Sequence, residues 1–212
     1  MPAHLRVSVA DRPGSLAALT AALSRAGANV LSVTVLERDQ GRAVDDLLLE
    51  WPYARSWHEL TRAIEECPGL RIHGLRHVAV AADTSDLDLV RQAAEHPRRA
   101  VETVVDGLPH VLLADWAAAF DRGATELALV ATQGAPSPLP ETDPSFDRAR
   151  ALTVGHEALI LASLPQSPLR VLVGRYEGPA FTASEVQRCA ALLEVTASIL
   201  RLAQVDGDRV PA

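Results

Sequence analysis

Two short stretches carry side chains whose types and spacing suit the recognition of a small zwitterion. The first is Asp11-Arg12-Pro13-Gly14-Ser15-Leu16 and the second is Ala28-Asn29-Val30. Asp11 offers a carboxylate to an ammonium group, and Arg12 offers a planar fork of donors to a carboxylate. Gly14 lets the backbone approach a ligand closely. A helix starting just after it aims unpaired N–H groups and a partial positive charge at an anion. Asn29, the one asparagine in the chain, carries both a donor and an acceptor and can read an amino or a carboxyl group. An amino acid presents both charges. Each residue also has a plainer use. Asp-x-Pro-Gly is an ordinary turn, Asn tolerates a left-handed turn after a helix, Gly27 is a natural helix C-cap, and Arg12 can simply stand in solvent.

No catalytic constellation accompanies them. All twenty basic residues are Arg, so Schiff bases, pyridoxal phosphate anchoring and the lysine of a phosphate-binding loop are excluded. His73 and His77 fall on a predicted strand, about 13 Å apart, too far for one metal ion, and read as surface histidines. Gly155-His156-Glu157 lacks a second histidine at helical spacing, and no Gly-x-Ser-x-Gly elbow occurs. Asp45-Asp46 face opposite ways on a strand, while Glu65-Glu66 lie solvated on a helix. Asp83, Asp86 and Asp88 read as acids at a helix start, favoured by the dipole. Cys67 and Cys189 cannot form a disulfide framework or a cysteine-based zinc site, and Cys189 reads as a core residue of a helix. The sequence therefore predicts no catalytic residue, no metal ligand and no cofactor.

The elements that must position the two stretches follow from periodicity. Leu5, Val7 and Val9 alternate with Arg6 and Ser8, the signature of a half-buried strand. After the 11–14 turn, Leu16, Leu19, Leu23 and Ala26 share one helical face, which ends at Gly27. Val30 to Glu37 and Val44 to Trp51 read as strands around a turn at residues 38–42. Ser56 and Glu59 fit a capping box for a helix with Trp57, Leu60 and Ile64 on one side, stopped by Pro68-Gly69. Residues 70–75 give a fourth strand. The order β-α-β-β-α-β is the split βαβ, or ferredoxin-like, plan.

Farther on, residues 86–106 read as helix broken at Pro97, and residues 110–118 and 126–132 as strands. Four prolines mark residues 134–144 as a loop. Residues 158–164 and 170–175 read as a strand pair. Thr182 and Glu185 form a second capping box, opening a long helix with Val186, Leu193, Ala197 and Leu200 on one face. The chain after Val205 reads as frayed.

Charge divides the chain as well. Residues 1–82 hold 9 Arg against 9 acids, and residues 83–212 hold 11 Arg against 18 acids, the source of the net −7. Two domains, 1–82 and 83–212, are expected. An acidic second half with few aromatics lacks the footprint of a nucleic-acid binder, and an anionic membrane surface would repel it. No apolar run approaches the roughly 20 residues of a membrane-spanning helix, and the N-terminal residues lack a signal-peptide pattern. No nucleic-acid or membrane partner is expected, and the location is expected to be cytoplasmic.

The first half resembles the ACT domain. The resemblance rests on the opening strand, Asp11-Arg12-Pro13-Gly14-Ser15-Leu16, the helix, and Gly27-Ala28-Asn29-Val30 leading into the second strand, over roughly residues 3–77. It implies a regulatory module that dimerises and binds small effectors, often amino acids, at the interface. The second half resembles a GAF domain over about residues 86–203. That resemblance is carried by Arg170-Val171-Leu172-Val173-Gly174-Arg175, by Phe181-Thr182 with Glu185, and by the closing helix. GAF-like domains bind cyclic nucleotides, bilins or haem, or only dimerise. The whole is expected to be α+β: a ferredoxin-like βαββαβ (ACT) domain, then a GAF-like antiparallel sheet with flanking helices.

The function so implied is a non-enzymatic sensor, a homodimer binding an amino acid through Asp11, Arg12, Pro13, Gly14, Ser15, Leu16, Ala28, Asn29 and Val30. With no output domain in view, its response passes to an unknown partner protein. The alternative is a dimerisation scaffold whose ACT site is empty. An acylphosphatase shares the ferredoxin-like plan and uses an Arg with an Asn, but the Gly-rich phosphate loop with its flanking Arg is missing here.

Overall fold

The computed structural model describes residues 2–78, 85–123, 128–143, 145, 148–176 and 179–207. The chain forms two compact units, Met1–Val80 and Ala81–Ala212. The elements of the first are β1 (Pro2–Ala10), α1 (Ser15–Ala26), β2 (Asn29–Asp39), β3 (Arg42–Glu50), α2 (Trp57–Glu65) and β4 (Arg71–His77). Its strands run in the order β2-β3-β1-β4, and every neighbouring pair is antiparallel. Leu5, Val7 and Val9 of β1 and Leu47 and Leu49 of β3 form one core with Leu19 and Leu23 of α1 and Leu60 and Ile64 of α2. The helical and strand periodicities thus bring their apolar sides to the same layer. Gly27 takes φ 87° and ends α1, its N–H donating to the Ser24 carbonyl at 2.9 Å.

Two expectations for this unit need correction. The strand expected to be half-buried is buried on both sides: His4, Arg6 and Ser8 are as inaccessible as their apolar neighbours. Arg6 has a partner one strand away, because the β1–β3 register sets it opposite Asp46. The Ser56–Glu59 capping box does not form. Ser56 is the N-cap of α2 but its hydroxyl accepts no cap hydrogen bond, and Glu59 lies 3.8 Å from the Arg55 guanidinium instead.

The second unit comprises α3 (Asp86–Glu95), a single 3₁₀ turn (Pro97–Arg99), α4 (Ala100–Val111), β5 (Trp116–Asp121), β6 (Ala128–Ala131), β7 (Arg150–Val154), β8 (Glu157–Ser163), β9 (Leu169–Arg175) and α5 (Ala183–Gly207). Its antiparallel sheet runs β6-β5-β9-β8-β7. One face (Ala117, Ala119, Ile160, Val171, Val173) packs on the helices, with Val104 and Leu108 of α4 and Leu193 of α5. The other face gathers Trp116, Phe120, Leu159, Leu161 and Leu172 with Leu139, a residue of the proline-rich loop. Leu139 and Ala135 thus anchor that loop on the apolar layer.

The break at Pro97 falls between α3 and α4. The strand expected over 110–118 starts only at Trp116, since the helix runs on through Pro109 to Val111. A proline so near a helix end forfeits one hydrogen bond, while continued winding buries Leu108, Val111 and Leu112. Strand β7 was not expected; it pairs with β8 through a turn at Gly155. The second capping box does form. The Glu185 N–H donates to Thr182 Oγ1 at 3.3 Å, and the Thr182 N–H donates to Glu185 Oε2 at 2.8 Å. Cys189 is buried in α5, and burial pushes its thiol up to about 12. Asp83 and the segments 79–84, 124–127, 177–178 and 208–212 lie outside the described residues. Among the described residues no helix is long and apolar enough to cross a membrane.

Candidate functional site

The loop between β1 and α1 is fixed at its base by the Asp11 N–H, which donates to the Gly41 carbonyl at 2.8 Å. Gly14 then takes φ 91° as N-cap of α1, a conformation that would strain any residue with a Cβ. No side chain caps this helix start and no acid lies in its first turn; the Ser15 N–H donates to the Arg12 carbonyl at 3.3 Å, and the positive end of the helix dipole is left without a side-chain carboxylate. Beside it is a cavity of about 360 Å³, lined by Arg12, Pro13, Gly14 and Ser15 together with Ala18 and Leu70. Four of the nine residues singled out by sequence share this cavity.

The remaining five do not line it. Leu16 is on α1 with its side chain 42% exposed. Asp11 is exposed at the loop base. Ala28, Asn29 and Val30 are at the other end of the sheet: the register sets Asn29 opposite Glu50, and Glu50 opposite Pro2, while the loop follows Ala10. Eight residues of strand span about 26 Å. There Asn29 Nδ2 donates to Glu50 Oε2 at 3.4 Å. Within one chain, then, the loop and the asparagine lie at opposite ends of the sheet.

The structure adds ionisable residues that periodicity did not reveal. On the sheet face away from the helices, Arg6 makes a bidentate pair with Asp46, Nε to Oδ1 and Nη2 to Oδ2 both at 2.6 Å. His4 Nε2 lies 3.0 Å from Asp46 Oδ2. Burial pushes this carboxyl up, but the hydrogen bonds and charge of Arg6 and His4 outweigh it and hold Asp46 down to about 2. Its neighbour Asp45 is on the opposite face, across from Val7 and Val35. Burial raises the Asp45 carboxyl, Arg38 opposes the rise, and Asp11 and Asp46 add to it. Arg6, Asp46 and His4 are recognisable as a set only once the β1–β3 register is known.

His73 and His77 have different surroundings. The His77 ring accepts the Trp57 indole N–H at 3.0 Å, and burial followed by Arg42, Arg6 and Arg71 lowers His73. Among the described residues no group of three His, Cys, Asp or Glu could hold a metal ion.

Comparison with known proteins gives the following. No curated protein matches this sequence. Among solved structures, a formyltetrahydrofolate deformylase from Pseudomonas putida is 14% identical over 49% of this chain, with a TM-score of 0.31; this chain spans 39% of the deformylase's length. The chromophore-binding domain of a bacteriophytochrome from R. palustris is 12% identical over 95% of this chain and 94% of its own, with a TM-score of 0.42. The regulatory subunit of aspartate kinase from Thermus thermophilus is 14% identical over 93% and 91%, with a TM-score of 0.29. At these scores the likenesses do not define the fold. The family model of the ACT domain does match, over residues 3–49, the segment from β1 through β3. Residues 3–49, within the N-terminal unit, are thus the part of this chain that matches the ACT domain.

Proposed function

We propose that the protein is a non-enzymatic, cytoplasmic small-molecule sensor whose ACT domain binds an amino acid between two copies of the chain. The domains divide near residue 82, and the GAF-like half supplies dimerisation or a second input. The observation that carries this reading is the separation of the loop from Asn29 together with the character of the strand between them. β2 is an edge strand of 11 residues without proline, and Leu31, Val33 and Val35 along it are 49%, 37% and 45% exposed. Such an edge is a template for pairing with another chain.

Antiparallel pairing of two β2 edges would set Asn29 of one copy beside the Asp39–Gly41 end of the other. That end adjoins the partner's loop, since Asp11 is hydrogen-bonded to Gly41. Each site would then join Arg12, Gly14 and the α1 N-terminus of one copy to Asn29 of its partner. The carboxylate of the ligand meets Arg12 and the helix amides, and its ammonium meets Asp11 and the side-chain oxygen of Asn29.

A thermal-shift screen against the twenty amino acids tests this. Ligand at a hundred times its Kd adds about 2.7 kcal/mol, several degrees of midpoint. One amino acid is expected to raise the midpoint, and Asn29→Ala to abolish the rise. A well-folded dimer that responds to none of the twenty would be the scaffold with an empty site.

A further inference from the structure

Resting on the reading above, we infer that the cavity beside α1 selects an aliphatic amino acid, and that Ala18 sets the size of side chain it accepts. At about 360 Å³ it is at the small end of the range for small-molecule sites. Its polar groups are confined to one stretch of chain: the Arg12 guanidinium, the backbone of Gly14 and the Ser15 hydroxyl. The rest of the wall is apolar and comes from four places. These are Ala10 at the end of β1, Pro13 in the loop, Ala18 on α1, and Pro68 and Leu70 ahead of β4.

Charge selects the side chain. Among the described residues Arg12 is the one charged group along the wall, and the α-carboxylate common to all amino acids engages it. The second carboxylate of aspartate or glutamate then finds no cation, and the cation of lysine or arginine finds no acid in the wall. Asp11 is outside the wall and is taken by the α-ammonium. A charge removed from water without a partner is costly, whereas a hydrocarbon side chain gains from leaving it. Arg42 does not add to the count, because its Nη2 donates to the Gly69 carbonyl at 3.0 Å and to the Ser8 carbonyl at 2.8 Å. These bonds tie the Pro68-Gly69-Leu70 wall to β1, and the Leu70 N–H donates to the Cys67 carbonyl at 3.3 Å. The apolar wall is thus held in place by the chain's own hydrogen bonds. The Ala18 N–H donates to the Gly14 carbonyl at 2.9 Å, which puts Ala18 one turn along the helix on the same side as Gly14. A longer residue at that position takes up room in the cavity.

Calorimetric titration of the full chain with leucine, valine, alanine, glutamine, glutamate and lysine tests the assignment. Leucine or valine is expected to bind most tightly, with alanine at least about tenfold weaker, the effect of one or more methylenes. Glutamate and lysine are expected to be about a hundredfold weaker, from the unpaired charge. Ala18 is exposed, so Ala18→Leu leaves the fold intact, which thermal unfolding of the ligand-free variant verifies. It is expected to weaken leucine about tenfold and alanine less than twofold. Glutamine, glutamate or lysine binding as tightly as leucine would overturn the inference and leave the amino-acid reading standing. An Ala18→Leu effect equal for leucine and alanine would overturn the role of Ala18. Binding of none of the six, nor of any other amino acid in the thermal-shift screen, would overturn the inference and the reading together.

Discussion

The two sheets of this chain share a plan and differ in how their second faces are satisfied. Each is antiparallel with helices on one side. In the N-terminal sheet the other side buries His4, Arg6, Ser8 and Asp46, held by a bidentate ion pair. In the C-terminal sheet it is mainly apolar, with Leu139 packed with Trp116, Phe120, Leu159, Leu161 and Leu172, and the buried Arg170 sits at its end, opposite Phe120. An apolar layer depends on volume and shape. An ionic layer depends on completeness, since removing one partner leaves the other charged and buried. The second unit also confines its internal ion pair to an element junction. The Arg175 guanidinium donates to the Leu113 carbonyl at 2.9 Å, to the Leu112 carbonyl and to the Glu185 carboxylate, and so ties the end of α4 to the start of α5.

This contrast can be broken at its most sensitive points. The largest effect is expected from Gly174→Ala. Gly174 pairs directly with Trp116, and an added Cβ would come 2.2 Å from the fully buried indole. A loss of about 3 kcal/mol or more is predicted from overpacking, read by denaturant unfolding. A variant as stable as the parent would show that the apolar layer yields.

Asp46→Asn in the ionic layer is predicted to cost about 3 kcal/mol at neutral pH, as in other broken buried pairs. Its pH dependence carries the sign. The folded carboxyl, at about 2, lies below its ordinary value of 3.8, so its stabilisation is present above the ordinary value. It is lost as pH falls through the folded one. Unfolding measured between neutral pH and about pH 2 should show parent and variant converging in acid; a constant difference contradicts the ion-pair account.

Asp45→Asn should act in the opposite direction. Burial raises that carboxyl, so the ionised form is disfavoured in the folded state. Stability is then lost as pH rises through the folded value. The variant is predicted to unfold at a higher temperature than the parent near neutral pH and at the same temperature in acid. The smallest effects compare the two helix starts. Thr182→Ala should cost about 1 kcal/mol because its capping box is made, whereas Ser56→Ala should change stability by a few tenths or less. Equal losses would mean that Ser56 caps α2 in solution.

Much of this was legible in the sequence, and the omissions have physical causes. The first unit's six elements follow from apolar spacing and from Gly27. The second capping box was legible and forms, while the first was equally legible and does not, because Arg55 competes for Glu59. Leu108 to Trp116 is apolar enough for helix or strand, and only burial against the sheet decides for helix up to Val111. Strand β7, Arg150–Val154, is only five residues long and offers too few positions for a period to show. The loop residues Arg12, Pro13, Gly14 and Ser15 were legible as a group and share a cavity. Their distance from Asn29 was not, since it depends on strand register. The same holds for Arg6 with Asp46, which meet only through the β1–β3 register.

The central claim, that each ligand site is built from the loop of one copy and Asn29 of another, has a direct test by complementation. Once the thermal-shift screen has identified the amino acid, Arg12→Ala and Asn29→Ala chains are prepared separately and as a purified mixed dimer. Ligand stoichiometry is then measured by calorimetry. Each homodimer is expected to bind nothing measurable, and the mixed dimer to bind one ligand, at the single site where an intact loop meets an intact Asn29. A mixed dimer as inert as its parents, or full binding by either homodimer, would contradict a site shared between chains.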